Sequence, residues 1–344
     1  MRRVHFCVHG VTAEVSDPGG TQPEVLTALS QDFRPFLTVR DDSTAVEIRI
    51  ELSGRPWDGP PPAGAWPLFR TRLASAYARS GGRRFCVYGP GAVVEGDTRD
   101  GRRFRIHAPP TAAGGAHELA YVALLSAVGE SLDRAGLHRV HALGFARAGK
   151  GILAVIPSGG GKSALAALAR ISGRGTLTFH GDENPLLSQG PGVAILHPYP
   201  LRIALAAAAA RGLGLPDDAR VFSRLRFPPK LLYDWDPREI ARPVPLRTIL
   251  IGERVQRGGP SIEPTGRLTA YLALADSLVV GRGVAQMAEH VLRVGAVPGL
   301  GRVAWNRARV AWFAAQGARA YRFRLVADAR RNHGVLADFL AQTI

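Results

Sequence analysis

"ILAVIPSGGGKSALAALAR", Ile152 to Arg170, decides how the rest of this chain reads. It opens on an apolar run, breaks at Pro157 and three successive glycines, and resumes as an alanine- and leucine-rich stretch with helical spacing. Strand, glycine loop and helix in that order make a phosphate cradle. Such a loop needs little side chain and many backbone N–H groups pointing into one concavity, with a helix N-terminus behind them. Gly159, Gly160 and Gly161 remove side chains and permit positive φ, and with Ser158 they form the candidate phosphate-binding loop. Lys162 would bring a compact charge to the β- and γ-phosphates, and Ser163 a hydroxyl for Mg²⁺. The full pattern G-x-x-x-x-G-K-[ST] wants glycine at 156, where this chain has Ile156. That change touches the strand-to-loop corner more than the cradle. Pro157, which fixes φ and has no N–H, can stiffen the corner instead.

Composition sharpens the reading of Lys162. The 344 residues include 44 basic ones, of which only three are lysines (Lys150, Lys162, Lys230) and 41 are arginines. One of three lysines stands where a point charge suits a phosphate better than a planar fork. The net charge of +16 raises nucleic acid as a partner. The arginines are scattered and not interleaved with aromatics, so nucleic acid is not favoured, and an acidic peptide or protein fits at least as well. No apolar run approaches the ~20 residues of a membrane span. The opening MRRVHFCVHG lacks the apolar stretch of a secretory signal, so a cytoplasmic protein with no membrane segment is expected. Cys7 and Cys86 sit in apolar strand-like runs and read as reduced core thiols.

Working outward, residues 1–110 read as a β-rich region. "RRVHFCVHGVTAEV" and "AVEIRIEL" alternate apolar and polar positions, and "RFCVYG", "GAVVEGD" and "GRRFRIHA" follow, the last two joined by a turn at Thr98-Arg99-Asp100-Gly101. Trp66, Phe69, Leu73 and Tyr77 recur at helical spacing after a proline-rich loop. His5, Cys7 and His9 alternate, which on a strand would give one face three metal-capable side chains, although a plain strand face is the simpler reading. "APPTAAGGA", Ala108 to Ala116, is the linker candidate.

Residues 111–344 then read as the core. "HELAYVALLSAVGESLDRAG" is a helix. "HRVHALGFARAGKGILAV" is a hairpin turning at Gly149-Lys150-Gly151, so the strand feeding the glycine loop is its second arm and His141 stands on its first. Past the turn Gly173-Arg174-Gly175, the strand "TLTFH" runs into Asp182-Glu183. "IALAAAAARG" and "RLTAYLALADSLV" read as helices, and "ARAYRFRLVAD" as a strand. Arg254 and Arg282 are candidate phosphate-stabilising arginines, and His180 adjoins the acidic pair.

This arrangement resembles the HPr serine kinase/phosphorylase family, which shares a fold with ATP-dependent phosphoenolpyruvate carboxykinase. The residues that carry the resemblance are His141, the glycine-flanked turn, the loop ending in Lys162-Ser163, and the acidic pair. It covers residues 137 to 190 and extends to "GRGVAQMAEHV" from Gly281. The departures are Ile156 for the first loop glycine, Glu183 for the second aspartate of the family's pair, a longer interval between helix and acidic pair, and no counterpart of the family's further metal-binding glutamate in "VAILHPYPLRIAL". The resemblance implies an α/β fold with a mixed sheet and a β-hairpin feeding the P-loop. It also implies ATP and Mg²⁺ as cofactors, with Glu183 as base and Asp182 beside Ser163 at the metal. His141 would hydrogen-bond the acidic pair or the phosphoryl group. With Lys162 these make the candidate catalytic set.

The expected activity is transfer of the γ-phosphoryl group to a serine or threonine hydroxyl of a peptide or protein, a ribosomally made precursor peptide among them. A kinase of a small-molecule or nucleic-acid hydroxyl, and a nucleotide-sensing protein without transfer activity, are the alternatives.

Overall fold

The computed structural model describes residues 2–39, 45–58, 64–70, 74–79, 82–97, 102–109, 113–172, 176–199, 201–216, 219–234, 236, 240, 242–282 and 297–343. The turns read at 98–101 and 173–175, and the stretch 283–291, lie outside the described residues. The protein is mixed α/β. It divides into two compact units: Met1–Leu132 with Val221–Pro229 and Ala285–Gly299, and Asp133–Arg220 with Lys230–Val284 and Leu300–Ile344.

The first unit is built on an eight-stranded sheet. Its elements are β1 (Arg2–Val8), β2 (Val11–Asp17), α1 (Pro23–Asp32), β3 (Ile48–Leu52), β4 (Trp66–Arg70), β5 (Ser75–Arg79), β6 (Arg83–Gly89), β7 (Ala92–Asp97) and β8 (Arg103–His107), followed by α2 (Ala113–Arg134). The strand order is β1-β2-β3-β8-β7-β6-β5-β4. β2, β3 and β8 run parallel to one another, which requires the α1 crossover, and the other pairings are antiparallel. Period-two burial along β3, with Ile48, Ile50 and Leu52 inward, packs the sheet's core face.

Four local readings are corrected here. The helical spacing of Trp66, Phe69, Leu73 and Tyr77 is not a helix: Trp66 pairs with Ala78 and Pro67 with Tyr77 across the β4–β5 hairpin, and Leu73 lies outside the described residues. Pro67 argues against a helix interior, and it is tolerated because β4 is the edge strand. Cys7 is exposed on β1, whereas Cys86 is buried on β6. His9 has left the strand for the turn after it, with φ 47°, so it does not share a strand face with His5 and Cys7. Among the described residues no group of three or more His, Cys, Asp or Glu side chains is arranged to hold a metal by itself. The alanine-rich stretch begins as a strand at Ile203–Leu205 and turns helical only at Ala207.

The second unit contains β9 (His138–Arg139), β10 (Leu143–Arg147), β11 (Lys150–Val155), α3 (Lys162–Ser172), β12 (Thr178–Gly181), β13 (Leu186–Gln189) and β14 (Ala194–His197). Then come β15 (Ile203–Leu205), α4 (Ala207–Gly212), a short β16 (Arg220–Phe222) where the chain leaves this unit, β17 (Lys230–Tyr233), β18 (Val244–Arg254) and β19 (Ser261–Pro264). α5 (Arg267–Ala275) runs into a π-helical turn, Asp276–Val280, and α6 (Val297–Gly317), β20 (Arg319–Leu325) and α7 (Ala329–Thr343) close the chain.

β18 is the spine of a nine-stranded mixed sheet: β11 lies parallel to it on one side, and β20 runs parallel along Thr248–Arg254. Alternation along β11 sorts its side chains between two cores. Ile152, Ala154 and Ile156 pack with α3 and α7, while Leu153 packs with α5 and α6. Helices on both faces explain why β11 reads as a continuous apolar run.

Candidate functional site

The site is assembled at one end of β10, β11 and β12. Ala148 and Gly149, with φ of 50° and 74°, close a two-residue hairpin between β10 and β11, pairing Arg147 with Lys150 and Leu143 with Ala154. β12 lies antiparallel to β10 on its other side, with Gly181 opposite Gly144. The start of β10 therefore has the end of β11 on one flank and the end of β12 on the other. His141, the glycine loop and Asp182-Glu183 are drawn to the same edge. His141 itself precedes β10 in a bend, and its N–H donates to Ser277 Oγ at 2.8 Å.

Between β11 and α3 the loop turns tightly. Gly160 N–H donates to Pro157 C=O at 2.8 Å, and Gly159 and Gly161 have φ of 71° and 89°. A Cβ on Gly160 would lie 2.5 Å from Ile156 Cγ2 and 2.8 Å from Pro157 O, so this position admits only glycine. The same packing explains Ile156. Its side chain is buried beneath the loop, in space that Gly160 and Gly252 on β18 leave open; a Cβ on Gly252 would lie 2.8 Å from Ile156 Cγ1. Ile156 is thus a core residue, and the glycine that accommodates it sits on the neighbouring strand. Ser158, Gly159 and Gly161 are exposed on the loop's outer side.

Lys162 opens α3 yet is only 6% exposed. Its ammonium donates to Ile156 C=O at 2.7 Å and to His141 Nε2 at 2.8 Å. Accepting that bond requires Nε2 to carry no proton, which leaves the proton of the neutral ring on Nδ1. The ring also interacts with the Glu183 backbone and carboxylate, which favour its protonated form. Burial, reinforced by the Lys162 charge, pushes His141 down to about 4. Burial also lowers Lys162 to about 8, against the pull of Glu183 and Asp182.

Asp182 is buried, and its Oδ2 has no hydrogen-bond partner among the described residues. Burial, and then the neighbouring Glu183 charge, push its carboxyl well above the ordinary aspartate range; Ser163, Lys162 and Lys230 pull the other way. Glu183 is half-buried. The structure therefore brings His141, Lys162, Ser163, Asp182 and Glu183 together. His180 is fully buried on β12, its Nε2 3.1 Å from Arg242 O, and burial lowers it to about 4.

Two further cations belong to this neighbourhood. Lys230, at the start of β17, acts electrostatically on both Lys162 and Asp182. Sequence reasoning gave it no role, although its being one of three lysines was a usable signal. Arg254 ends β18 with Nη2 3.7 Å from where a Cβ on Gly159 would stand, so its guanidinium borders the loop. Arg282 instead pairs with Asp276 at 3.2 Å and is largely exposed.

The arrangement combines backbone donors and a helix N-terminus at a glycine loop, a buried lysine, and a buried acid with an unused oxygen. That set can hold a multiply charged anion and a cation against it. No protein-family model matches this chain, and no curated protein matches it.

Proposed function

We propose that this protein is an ATP- and Mg²⁺-dependent phosphotransferase with an HPr-kinase-like P-loop core, acting on a serine or threonine hydroxyl of a peptide or protein. One observation carries the reading: Lys162 is buried at the head of α3, held by Ile156 C=O and His141, beside an acid whose second oxygen is unused. A structural lysine would be solvated. This one is desolvated beside a buried acid with an unpartnered oxygen, an arrangement that a phosphate and a metal would relieve. The glycine loop supports the fit: Gly160 lets it turn tightly over Ile156, and Gly159 carries no side chain between the backbone and the Arg254 guanidinium.

Bound MgATP supplies the phosphoryl group and neutralises part of its charge. The N–H groups of Ser158, Gly159 and Gly161 would donate to phosphate oxygens, Gly160 N–H being held by Pro157 C=O, and Lys162 and Arg254 would balance the negative charge that moves toward the leaving ADP. Ser163 and Asp182 would hold the Mg²⁺, a hard cation suited to a hydroxyl and a carboxylate. Glu183 accepts the proton of the attacking hydroxyl as its oxygen bonds to phosphorus and the bond to ADP breaks. Neutral His141 fixes the Lys162 ammonium without adding a second charge beside it. The strongly basic composition favours an acidic peptide or protein as acceptor.

Isothermal titration with ATP and Mg²⁺ tests the reading. Lys162→Ala should weaken binding at least tenfold, about 1.4 kcal/mol, with the fold retained. Equal affinity in wild type and variant would make the loop a structural turn.

A further inference from the structure

At the opposite end of β11 from the glycine loop, roughly 17 Å away along the strand, lies a cavity of about 390 Å³. Lys150, Arg247, Arg267 and Arg319 line it, with Thr248 and Gln316. Arg267 Nη1 donates to Gln316 Oε1 at 3.2 Å, which holds that guanidinium at the rim. None of the described lining residues is acidic, so four cations face one concavity with no carboxylate among them. Like charges gathered in this way repel, and an anionic partner relieves that repulsion.

The rim continues into exposed apolar surface. On α6 the residues Trp305, Arg309, Trp312 and Gln316 follow helical spacing and are all exposed, so one outward stripe runs from Trp305 to the cavity. Trp305 is 66% exposed and Trp312 50%. The inward face of α6, Val310, Ala311, Ala314 and Ala315, already packs the core, so the tryptophans are not needed there. Beside the stripe, α5 exposes Leu268 and Leu272, and Tyr271 meets Trp312 edge-on at 5.6 Å. Tryptophan and arginine concentrated on one face are the residues that dominate binding energy at protein interfaces.

We infer that this face docks a peptide segment of a protein partner, its carboxylate-rich end in the Lys150–Arg247–Arg267–Arg319 cavity and its apolar side chains along Trp312, Leu268 and Leu272. The aliphatic residues favour a peptide over nucleic acid. Bases need flat aromatic faces to stack on, whereas leucines offer methyl groups, and the Trp312 ring is already braced by Tyr271. The binding requires no nucleotide and does not depend on the phosphotransferase reading.

The test is selection of a random peptide library displayed on phage against the full chain without nucleotide. Affinities of the enriched peptides are then measured by fluorescence anisotropy. Enriched sequences should carry clustered Asp or Glu beside apolar residues. Their binding should weaken at least tenfold in the double variant Arg247→Gln/Arg319→Gln and, separately, in Trp312→Ala, and should fall with rising salt. Circular dichroism and a thermal midpoint check that each variant is folded; should the double variant not fold, Lys150→Gln/Arg267→Gln replaces it. The inference is overturned if no peptide is enriched, if the enriched peptides lack acidic clusters, or if either variant binds like wild type. It is also overturned if a short DNA duplex displaces the peptide at a lower concentration than unlabelled peptide does, which would assign the face to nucleic acid.

Discussion

Two buried charge clusters lie within the second unit, and they are built to opposite rules. In the first, Asp133 at the end of α2 accepts from His138 Nδ1 at 2.8 Å and from Arg307 through both carboxylate oxygens, Nε standing at 3.1 Å. The remaining Arg307 nitrogen Nη1 donates to Leu278 C=O at 3.0 Å. Burial alone would raise Asp133, but His138 and Arg307 together hold it below the ordinary aspartate value. In the second, Lys162 and Asp182 are as deeply buried and His141 is half-buried, yet Asp182 Oδ2 has no partner among the described residues. Lysine, histidine and aspartate there are all displaced toward their neutral forms. A satisfied cluster stabilises the fold. An unsatisfied one stores a cost that a ligand can relieve.

Removing one partner from each cluster should expose the difference. Asp133→Ala leaves the Arg307 guanidinium buried without its carboxylate, and should cost about 3–5 kcal/mol in chemical denaturation. A cost under ~1 kcal/mol would mean the Asp133 cluster behaves like a surface pair, and the contrast would collapse. Glu183→Gln should leave stability and MgATP binding close to wild type while slowing transfer by about 10²–10⁴. Single-turnover assays resolve this; a variant that keeps full rate removes Glu183 from the role of base.

The pH dependence sharpens the comparison. His180 is neutral when folded, with its value lowered from 6.5 to about 4. Above pH 6.5 both states are neutral and the residue contributes no slope. Between 6.5 and 4 the unfolded chain takes up the proton first, so stability falls with falling pH by about 3 kcal/mol in all, and levels off below 4. Asp133 works in a lower window: its contribution is complete above about 3.8 and is lost as pH falls through its depressed folded value. Denaturation of His180→Gln at pH 7 and pH 4.5 should show a smaller difference than wild type. An unchanged difference would mean His180 is not held neutral.

Much of the candidate site was legible because its signals are local. The apolar run before Pro157, the three glycines and the spacing of Leu165 and Leu168 are properties of one short segment, and α3 forms where they place it. Asp182 and Glu183 were legible as a pair at a strand end. What was not legible comes from residues distant in sequence. The space for Ile156 is supplied by Gly252 on β18, and Lys230 reaches the cluster only because β17 carries it there. In the N-terminal region the spacing of Trp66, Phe69 and Tyr77 fits a helix, but strand pairing overrides it. Pairing of β5 with β6 sets Tyr77 opposite Phe85, a contact that helical periodicity cannot register.

If the Lys162 cluster is a destabilising arrangement kept for a ligand, denaturant titration of Lys162→Met with and without MgATP will reveal it. Methionine matches the apolar stem of lysine, one atom shorter, and carries no charge to bury. Without ligand the variant should be more stable than wild type, because burial holds the Lys162 value below its ordinary one and folding therefore works against its charge. That gain should exceed the loss of the bonds to Ile156 C=O and His141. Saturating MgATP should stabilise wild type, by about 2.7 kcal/mol at a hundredfold excess over Kd, and leave the variant nearly unmoved. A variant less stable than wild type, and stabilised by MgATP to the same extent, would show that Lys162 holds the fold together and that no phosphate is bound there.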